Sequence, residues 1–423
     1  MDKNKINLRA RISLWLAIIL IILAFSGGVF AGGTNIFNAN NQGTIKGASA
    51  INSTNSQTSS GSLLVDNGKL PTYLTEDVDF NLFWEVWNAV KDNYYVKGVP
   101  DTQLFYGALA GIVNSLNDPY SVFFTPQGNS TFQQDLQGNF EGIGAEIAIK
   151  NNNVTIVSPL PDSPAFKAGL KPNDIILKVN GTSTQNMTVT DAVSLIRGPK
   201  GTKVTLSILR GTDSPADFTI TRETINVKSV SLEYKGDIAY LKVRQFNDDT
   251  ISLFENALNE INTKSSKGLI IDLRNNPGGY LQSAIDMVGE LVGPQTAVIE
   301  RKSDGTEIKH VSGQQIKLQN VPTVVLVDGG SASASEIVAG ALQDYGKAKL
   351  VGEKTFGKGS VQDLITLSNG SAVKVTVAKW FTPKNRSIDQ LGIEPDIKVD
   401  FTEEDFNQNK DPQLDRALQE LNK

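Results

Sequence analysis

The first regularity along the chain is an apolar run over residues 12–30, broken only by Ser13 and Ser26-Gly27-Gly28 and preceded by Lys3, Lys5, Arg9 and Arg11. Roughly 19 residues are enough to cross a bilayer as a helix, and the basic flank orients the amino terminus to the cytoplasm. A cleaved signal peptide with a weak processing site at Phe30-Ala-Gly-Gly33 is the competing reading. The length of the run favours an uncleaved anchor within residues 1–31. Residues 32–70 are dominated by Asn, Ser, Thr, Gly and Gln, and predict a spacer with little to bury. Over residues 71–135 the apolar positions return at helical spacing: Val78, Leu82, Phe83, Val86, Trp87 and Val90, then Leu104, Leu109, Ile112, Val113 and Leu116. Asn117-Asp-Pro119 ends the second of these helices, because proline disfavours a helical residue before it.

From residue 140 the period shortens to that of strands. Strands are expected at 145–149, 154–157, 174–179 and 204–210, with a short helix at 163–170 and another at 190–196. From residue 236 strands and helices alternate. A strand at 238–243 precedes a helix at 250–263 with Leu253, Phe254, Ala257, Leu258 and Ile261 on one face. A strand at 268–273 precedes a helix at 281–291, and a strand at 323–328 precedes one at 337–344. This order predicts an α/β layer in which helices cover a largely parallel or mixed sheet and chemistry gathers at strand-to-helix loops. Residues 274–280 and 329–335 are the two loops that qualify. Residues 402–423 are polar, with one helix at 412–421.

Composition narrows the chemistry that those loops can do. The 423 residues include no cysteine and a single histidine, His310, at a net charge of −5. Thiolate catalysis and disulfides are thereby excluded, a His-rich metal centre is impossible, and any Ser-His-Asp triad would need His310. Neither a metal nor a cofactor is expected, and no basic stripe points to nucleic acid. His310 lies in Glu307-Ile-Lys-His-Val311, which reads as an exposed strand with an ordinary surface histidine.

Three serines, Ser331, Ser333 and Ser335, alternate with alanines after Gly329-Gly330 at the strand-to-helix turn. A helix amino terminus there offers unpaired N–H donors to a nucleophile; equally, small residues allow close packing or cap the helix. Lys358 sits in the glycine-rich stretch 352–359, with Gln362 just beyond. It can act as a general base if burial disfavours its ammonium, or be a plain surface lysine. Gly278-Gly279 lacks the glycine-lysine-serine/threonine pattern of a phosphate loop. It is either a tight turn or a source of N–H donors for an oxyanion hole. Neither a Gly-x-Ser-x-Gly elbow nor a Ser-x-x-Lys pairing of the β-lactamase type occurs.

Two resemblances sharpen this picture. Ser163-Pro-Ala with Ala168-Gly-Leu-Lys-Pro-Asn-Asp174 and Val179-Asn-Gly181 resembles a circularly permuted PDZ domain, over about residues 140–224. The resemblance implies that a sheet edge accepts an extended peptide and that the loop Gly142, Ile143, Gly144 and Ala145 captures its terminal carboxylate. Asn117-Asp-Pro-Tyr-Ser121, Asp272-Leu-Arg-Asn-Asn-Pro-Gly-Gly279, Gly330-Ser-Ala-Ser-Ala-Ser-Glu336 and Gly352-Glu-Lys-Thr-Phe-Gly-Lys-Gly-Ser-Val-Gln362 resemble the carboxyl-terminal processing (tail-specific) serine peptidases. That family implies a Clp protease/crotonase-like α/β catalytic core with an inserted, β-rich PDZ domain. It assigns Ser333 as nucleophile, Lys358 as general base and Gln362 as the residue that positions the lysine. Ala334 with Gly279, or its neighbour Gly278, would form the oxyanion hole.

The expected organisation is an anchor at 1–31, a linker at 32–70, a helical region at 71–135, a PDZ domain at 136–225 and a Ser–Lys protease core at 226–423. The expected protein is an extracytoplasmic endopeptidase, held by one membrane helix, that takes protein substrates with apolar carboxyl-terminal tails. An inactive PDZ scaffold and a hydrolase of non-peptide esters are the alternatives. Pairing of two chains through the amino-terminal helices is a further expectation. Arg197 is either a bridge from the PDZ domain to the site or a solvated turn residue.

Overall fold

The computed structural model describes residues 78–160 and 162–423, so the apolar run at 12–30 and the spacer at 32–70 lie outside the described residues. Among the described residues no helix is long and apolar enough to cross a membrane. The chain divides into two compact units, with a boundary at Ile112 and Val113.

The first unit, as far as it is described, contains helix Phe80–Asn93 and most of helix Asp101–Asn114. Asp79 starts the former by accepting the N–H of Asn81 at 2.9 Å, a capping bond that satisfies an orphan donor of the first turn. No residue of Phe80–Asn93 is buried, and Leu82, Trp84, Val86 and Val90 are exposed.

The second unit is built on a six-stranded sheet ordered Val230–Lys235, Ile238–Val243, Gly268–Asp272, Thr323–Val327, Ala348–Gly352 and Ile397–Lys398. The first pair is antiparallel and all later pairs are parallel. Every residue of Gly268–Asp272 and Thr323–Val327 is buried, which explains why both read as unbroken apolar runs. Their side chains alternate between two cores. Leu269, Ile271, Val325 and Val327 pack with Phe254, Leu258, Val288 and Val338 from helices Thr250–Lys264, Leu281–Val292 and Ala334–Asp344. Ile270, Val324 and Leu326 join Ile238, Val351 and Ala417, the last from helix Pro412–Leu421. Arg274 ties that terminal helix down through Asp411 at 2.8 Å while pairing with Asp272 at 2.7 Å.

A second, antiparallel sheet departs from the sequence reading. It runs Val122–Phe124, Ala372–Phe381, Thr296–Lys302 and Glu307–Val311, with Ser360–Thr366 also paired to Ala372–Phe381. Residues 71–135 are therefore not wholly helical. Val122–Phe124 has only three residues, too few to display a period, and it exists because Val122 pairs with the remote Lys374.

The PDZ-like module packs strands Ala145–Lys150, Asn153–Pro159, Ile175–Val179, Lys203–Leu209 and Ala216–Thr221, in that order, around Ile156, Ile176, Leu206 and Ile208. Helix Val189–Ile196 is started by a capping box between Thr188 and Asp191. The chain enters and leaves the module through one antiparallel ribbon, Asn139–Gly142 against Glu223–Asn226.

Candidate active site

Strand Thr323–Val327 delivers the serine loop, and strand Gly268–Asp272 delivers the loop beside it. Asp328 joins them, accepting the N–H of Asn275 and of Gly330, each at 2.9 Å. The three candidate serines then separate cleanly. Ser331 Oγ donates to the carbonyl of Leu273 at 2.8 Å, and Ser335 Oγ to that of Asn276 at 2.9 Å; both residues are fully buried. Those two hydroxyls stitch the loops together. Ser333 alone is partly exposed, and it holds φ 54° and ψ −114° at the cap of helix Ala334–Asp344. A non-glycine residue in such a conformation costs about 1–3 kcal/mol, and strain of that kind gathers at reactive positions.

Glu336, three residues into the helix and fully buried, holds this geometry. Its Oε2 accepts the backbone N–H of Ser333 and of Lys358, both at 2.9 Å. Its Oε1 accepts Thr355 Oγ1 at 2.6 Å and the N–H of Gly357 at 2.7 Å. One carboxylate thus fastens the serine turn to the lysine loop. Burial pushes the Glu336 carboxyl above its ordinary value, against four donors that favour the ionised form. Burial also pushes the Lys358 amine below its ordinary value, with the Glu336 charge opposing it. The Nζ of Lys358 lies 5.5 Å from the centre of the Tyr120 ring. Lys374 is a second buried lysine, pushed down to about 8 by burial and then by the charge of Lys358, while Asp118 pulls the other way.

The glycine pair abuts the Ser333 turn. A Cβ on Gly278 would fall 2.8 Å from Ser333 Cβ and 3.0 Å from the nitrogen of Ala334, and one on Gly279 would fall 1.9 Å from the carbonyl oxygen of Phe246. Their φ values of 102° and 141° are left-handed. The N–H of Gly278 is spent on Asn276 Oδ1 at 2.9 Å. Those of Gly279 and Ala334 have no acceptor among the described residues, so of the two glycines the geometry favours Gly279 as a donor.

Gln362 occupies the position where a register shift interrupts the pairing of Ser360–Thr366 with Ala372–Phe381. Its Nε2 donates to Ser360 Oγ at 2.6 Å and Thr376 Oγ1 at 3.3 Å, and it makes no hydrogen bond to Lys358 among the described residues. His310 faces Glu300 at 3.0 Å and packs against Trp380, with no role at the serine. Glu336, Asp118 and Thr376 went unassigned in the sequence. The capping-box spacing Ser333-x-x-Glu336 is a signal that marks the first, whereas only folding brings Asp118 and Thr376 together.

In the PDZ-like module, Ala145–Lys150 is an edge strand. The carbonyls of Ile143 and Gly144 accept from Ala165 at 2.8 Å and Leu160 at 2.9 Å, while their own N–H groups have no acceptor among the described residues. Gly142 belongs to the entry ribbon and Ala145 opens the edge strand. Arg197 caps helix Val189–Ile196, pairs with Asp135 at 3.3 Å and stacks 4.6 Å from the Phe140 ring centre. The carbonyl of Asp135 accepts from Gln245 at 3.1 Å, and the next residue, Phe246, exchanges backbone bonds with Gly278 and Tyr280.

Comparison with known proteins agrees with this architecture. A model for peptidase family S41 matches residues 237–399, a PDZ domain model matches 132–209, and a model of the N-terminal domain of the activating protease CtpB matches 22–127. The carboxy-terminal processing protease CtpA of Bacillus subtilis is 40% identical over 330 residues, covering 77% of this chain and 70% of that protein. A probable CtpA-like serine protease of Staphylococcus epidermidis is 40% identical over 317 residues, covering 74% of this chain and 64% of that protein. Among solved structures, a photosystem II D1 C-terminal processing protease matches with a TM-score of 0.51 at 28% identity, over 76% of this chain and 92% of its own. An S41 protease from Bacteroides fragilis matches with a TM-score of 0.55 over 84% and 99% at 17% identity, and speaks for the fold alone.

Proposed function

Since the chain belongs to the carboxy-terminal processing serine peptidases of family S41 and carries their PDZ domain, we propose that it is a membrane-anchored extracytoplasmic endopeptidase acting through a Ser333–Lys358 dyad. The observation that carries this reading is the convergence on Ser333. It is the one hydroxyl of three not consumed by a loop carbonyl, it is held in a strained turn, and two unspent N–H groups stand beside it.

In this mechanism an apolar carboxyl-terminal tail adds as a strand along Ala145–Lys150, its terminal carboxylate received by the N–H groups of the loop 142–145. The neutral amine of Lys358 takes the proton of Ser333 Oγ as that oxygen bonds to the scissile carbonyl carbon. The resulting oxyanion is received by the N–H of Gly279 and of Ala334, aided by the positive end of helix Ala334–Asp344. Collapse breaks the C–N bond, and the lysine ammonium returns its proton to the leaving amine. Water, deprotonated by the same lysine, then releases the acyl group from Ser333. Gln362 positions Lys358, and Arg197 links the tail-binding module to the core through Asp135. The apolar run at 12–30 supplies the membrane anchor. The exposed apolar residues of Phe80–Asn93 are the surface on which two chains pair.

The test uses the full chain in detergent with peptides that differ only in their last three residues. Tail-dependent cutting is expected, with Ser333→Ala and Lys358→Ala each losing on the order of a thousand-fold or more while still binding the tail. Full activity in either variant would sink the dyad. Binding without any cutting by the wild type would make the protein a scaffold.

A further inference from the structure

The turn that precedes strand Val122–Phe124 is organised by one carboxylate, and the dyad chemistry above gives that carboxylate nothing to do. Asp118 Oδ1 accepts the N–H of Tyr120 at 3.1 Å. Its Oδ2 accepts Ser121 Oγ and Thr376 Oγ1, each at 2.6 Å. Ser121 Oγ in turn accepts the N–H of Thr376 at 3.1 Å, so the turn and strand Ala372–Phe381 are locked at both residues. Two side chains leave this cluster toward the dyad. Tyr120 sets its ring 5.5 Å from Lys358 Nζ, and Thr376 Oγ1 receives Nε2 of Gln362 at 3.3 Å.

The chemistry of the acceptors gives this chain a direction. A carboxylate has no proton to give, so the single hydrogen of Thr376 Oγ1 must point at Asp118. The lone pairs of that oxygen then face Gln362, and only the amide NH₂ end can meet them. A second acceptor, Ser360 Oγ at 2.6 Å, receives the same nitrogen. The carbonyl end of Gln362 is left without a donor among the described residues, and a carbonyl is the end that can accept an N–H from lysine in either protonation state.

We propose that Asp118 is a positioning residue of the peptidase: through Thr376 it fixes which end of the Gln362 amide is offered to Lys358. This assignment rests on the Ser333–Lys358–Gln362 reading. Asp118→Asn keeps the size of the side chain and reverses the logic. The new NH₂ donates to Thr376, whose hydrogen must turn elsewhere, and the Gln362 amide loses the partner that orients it.

The experiment measures kcat and KM separately for the full chain, with a fluorogenic peptide ending in three alanines. Asp118→Asn and Gln362→Ala are each expected to lower kcat by up to about 100-fold, the scale of a misplaced catalytic group, with KM little changed. The double variant should be no slower than Gln362→Ala alone. Thr376→Val should behave like Asp118→Asn, and Thr376→Ser, which keeps the hydroxyl, should behave like the wild type. This pair settles the matter if Asp118→Asn does not fold. Undiminished kcat in Asp118→Asn or Thr376→Val, a loss confined to KM, or losses that multiply in the double variant would overturn the assignment. Full activity in Ser333→Ala would overturn the dyad itself, and this assignment with it.

Discussion

At the scale of single residues, the site is a contest over the charge of one lysine. Burial drives Lys358 toward the neutral amine that the proposed dyad requires, while Glu336, which holds the serine and lysine loops together, pulls it back toward the ammonium. The acid limb of the kcat/KM profile, where the base becomes protonated, should therefore lie below the ordinary lysine value of 10.5. Glu336→Gln removes the opposing charge, so the amine titrates lower still and the limb moves to lower pH. The same change leaves the amide NH₂ facing N–H or O–H donors that a carboxylate oxygen had accepted, at a cost of about 1–3 kcal/mol in stability. Titrating kcat/KM in both proteins, alongside a denaturant midpoint, checks both parts. A limb that stays in place or rises would contradict the electrostatic account.

At the scale of elements, the glycine pair and the serine turn are one packed joint rather than two loops that happen to meet. Gly278→Ala would put a methyl 2.8 Å from both the Ala332 carbonyl oxygen and Ser333 Cβ, in a left-handed conformation that alanine resists. A loss of kcat of about 100-fold or more is expected, comparable to removing an oxyanion donor, with circular dichroism unchanged. Near-normal kcat would show that the joint tolerates movement. Such joints also mark what the sequence could tell. The parallel strands Gly268–Asp272 and Thr323–Val327 announce themselves, because burial on both faces demands an apolar run. The antiparallel sheet does not, since Val122–Phe124 is too short and its partner lies some 250 residues away in the pairing Val122 with Lys374. Motifs make Ser333, Lys358 and Gln362 legible as candidates. Glu336 as a clamp shows only as the capping-box spacing Ser333-x-x-Glu336, and Asp118 as an organiser not at all, because its partner Thr376 lies 258 residues away.

At the scale of the whole molecule, one buried carboxyl makes stability depend on pH away from the site. Glu290, fully buried in helix Leu281–Val292, accepts Lys317 Nζ at 3.1 Å, and its Oε2 has no partner among the described residues. Burial pushes it up to about 7; Lys317 opposes the rise and Glu255 adds to it. An acid whose value is raised on folding contributes fully below its unfolded value near 4.5, and that contribution is lost as pH climbs to about 7. Glu290→Gln should therefore gain stability relative to the wild type between pH 5 and pH 8, read from denaturant midpoints at the two values. A difference that does not change with pH would refute this. The ribbon through which the PDZ module enters and leaves has a consequence of another kind. Asn139 and Asn226 are paired across it, so the two points of attachment stand about 5 Å apart. A short linker can span that gap. The catalytic chain can thus be closed over the excision, or another module spliced in at the same two points, with the core strands still joined in order: the module is a removable cartridge, and its removal takes away Arg197 and with it the proposed link through Asp135.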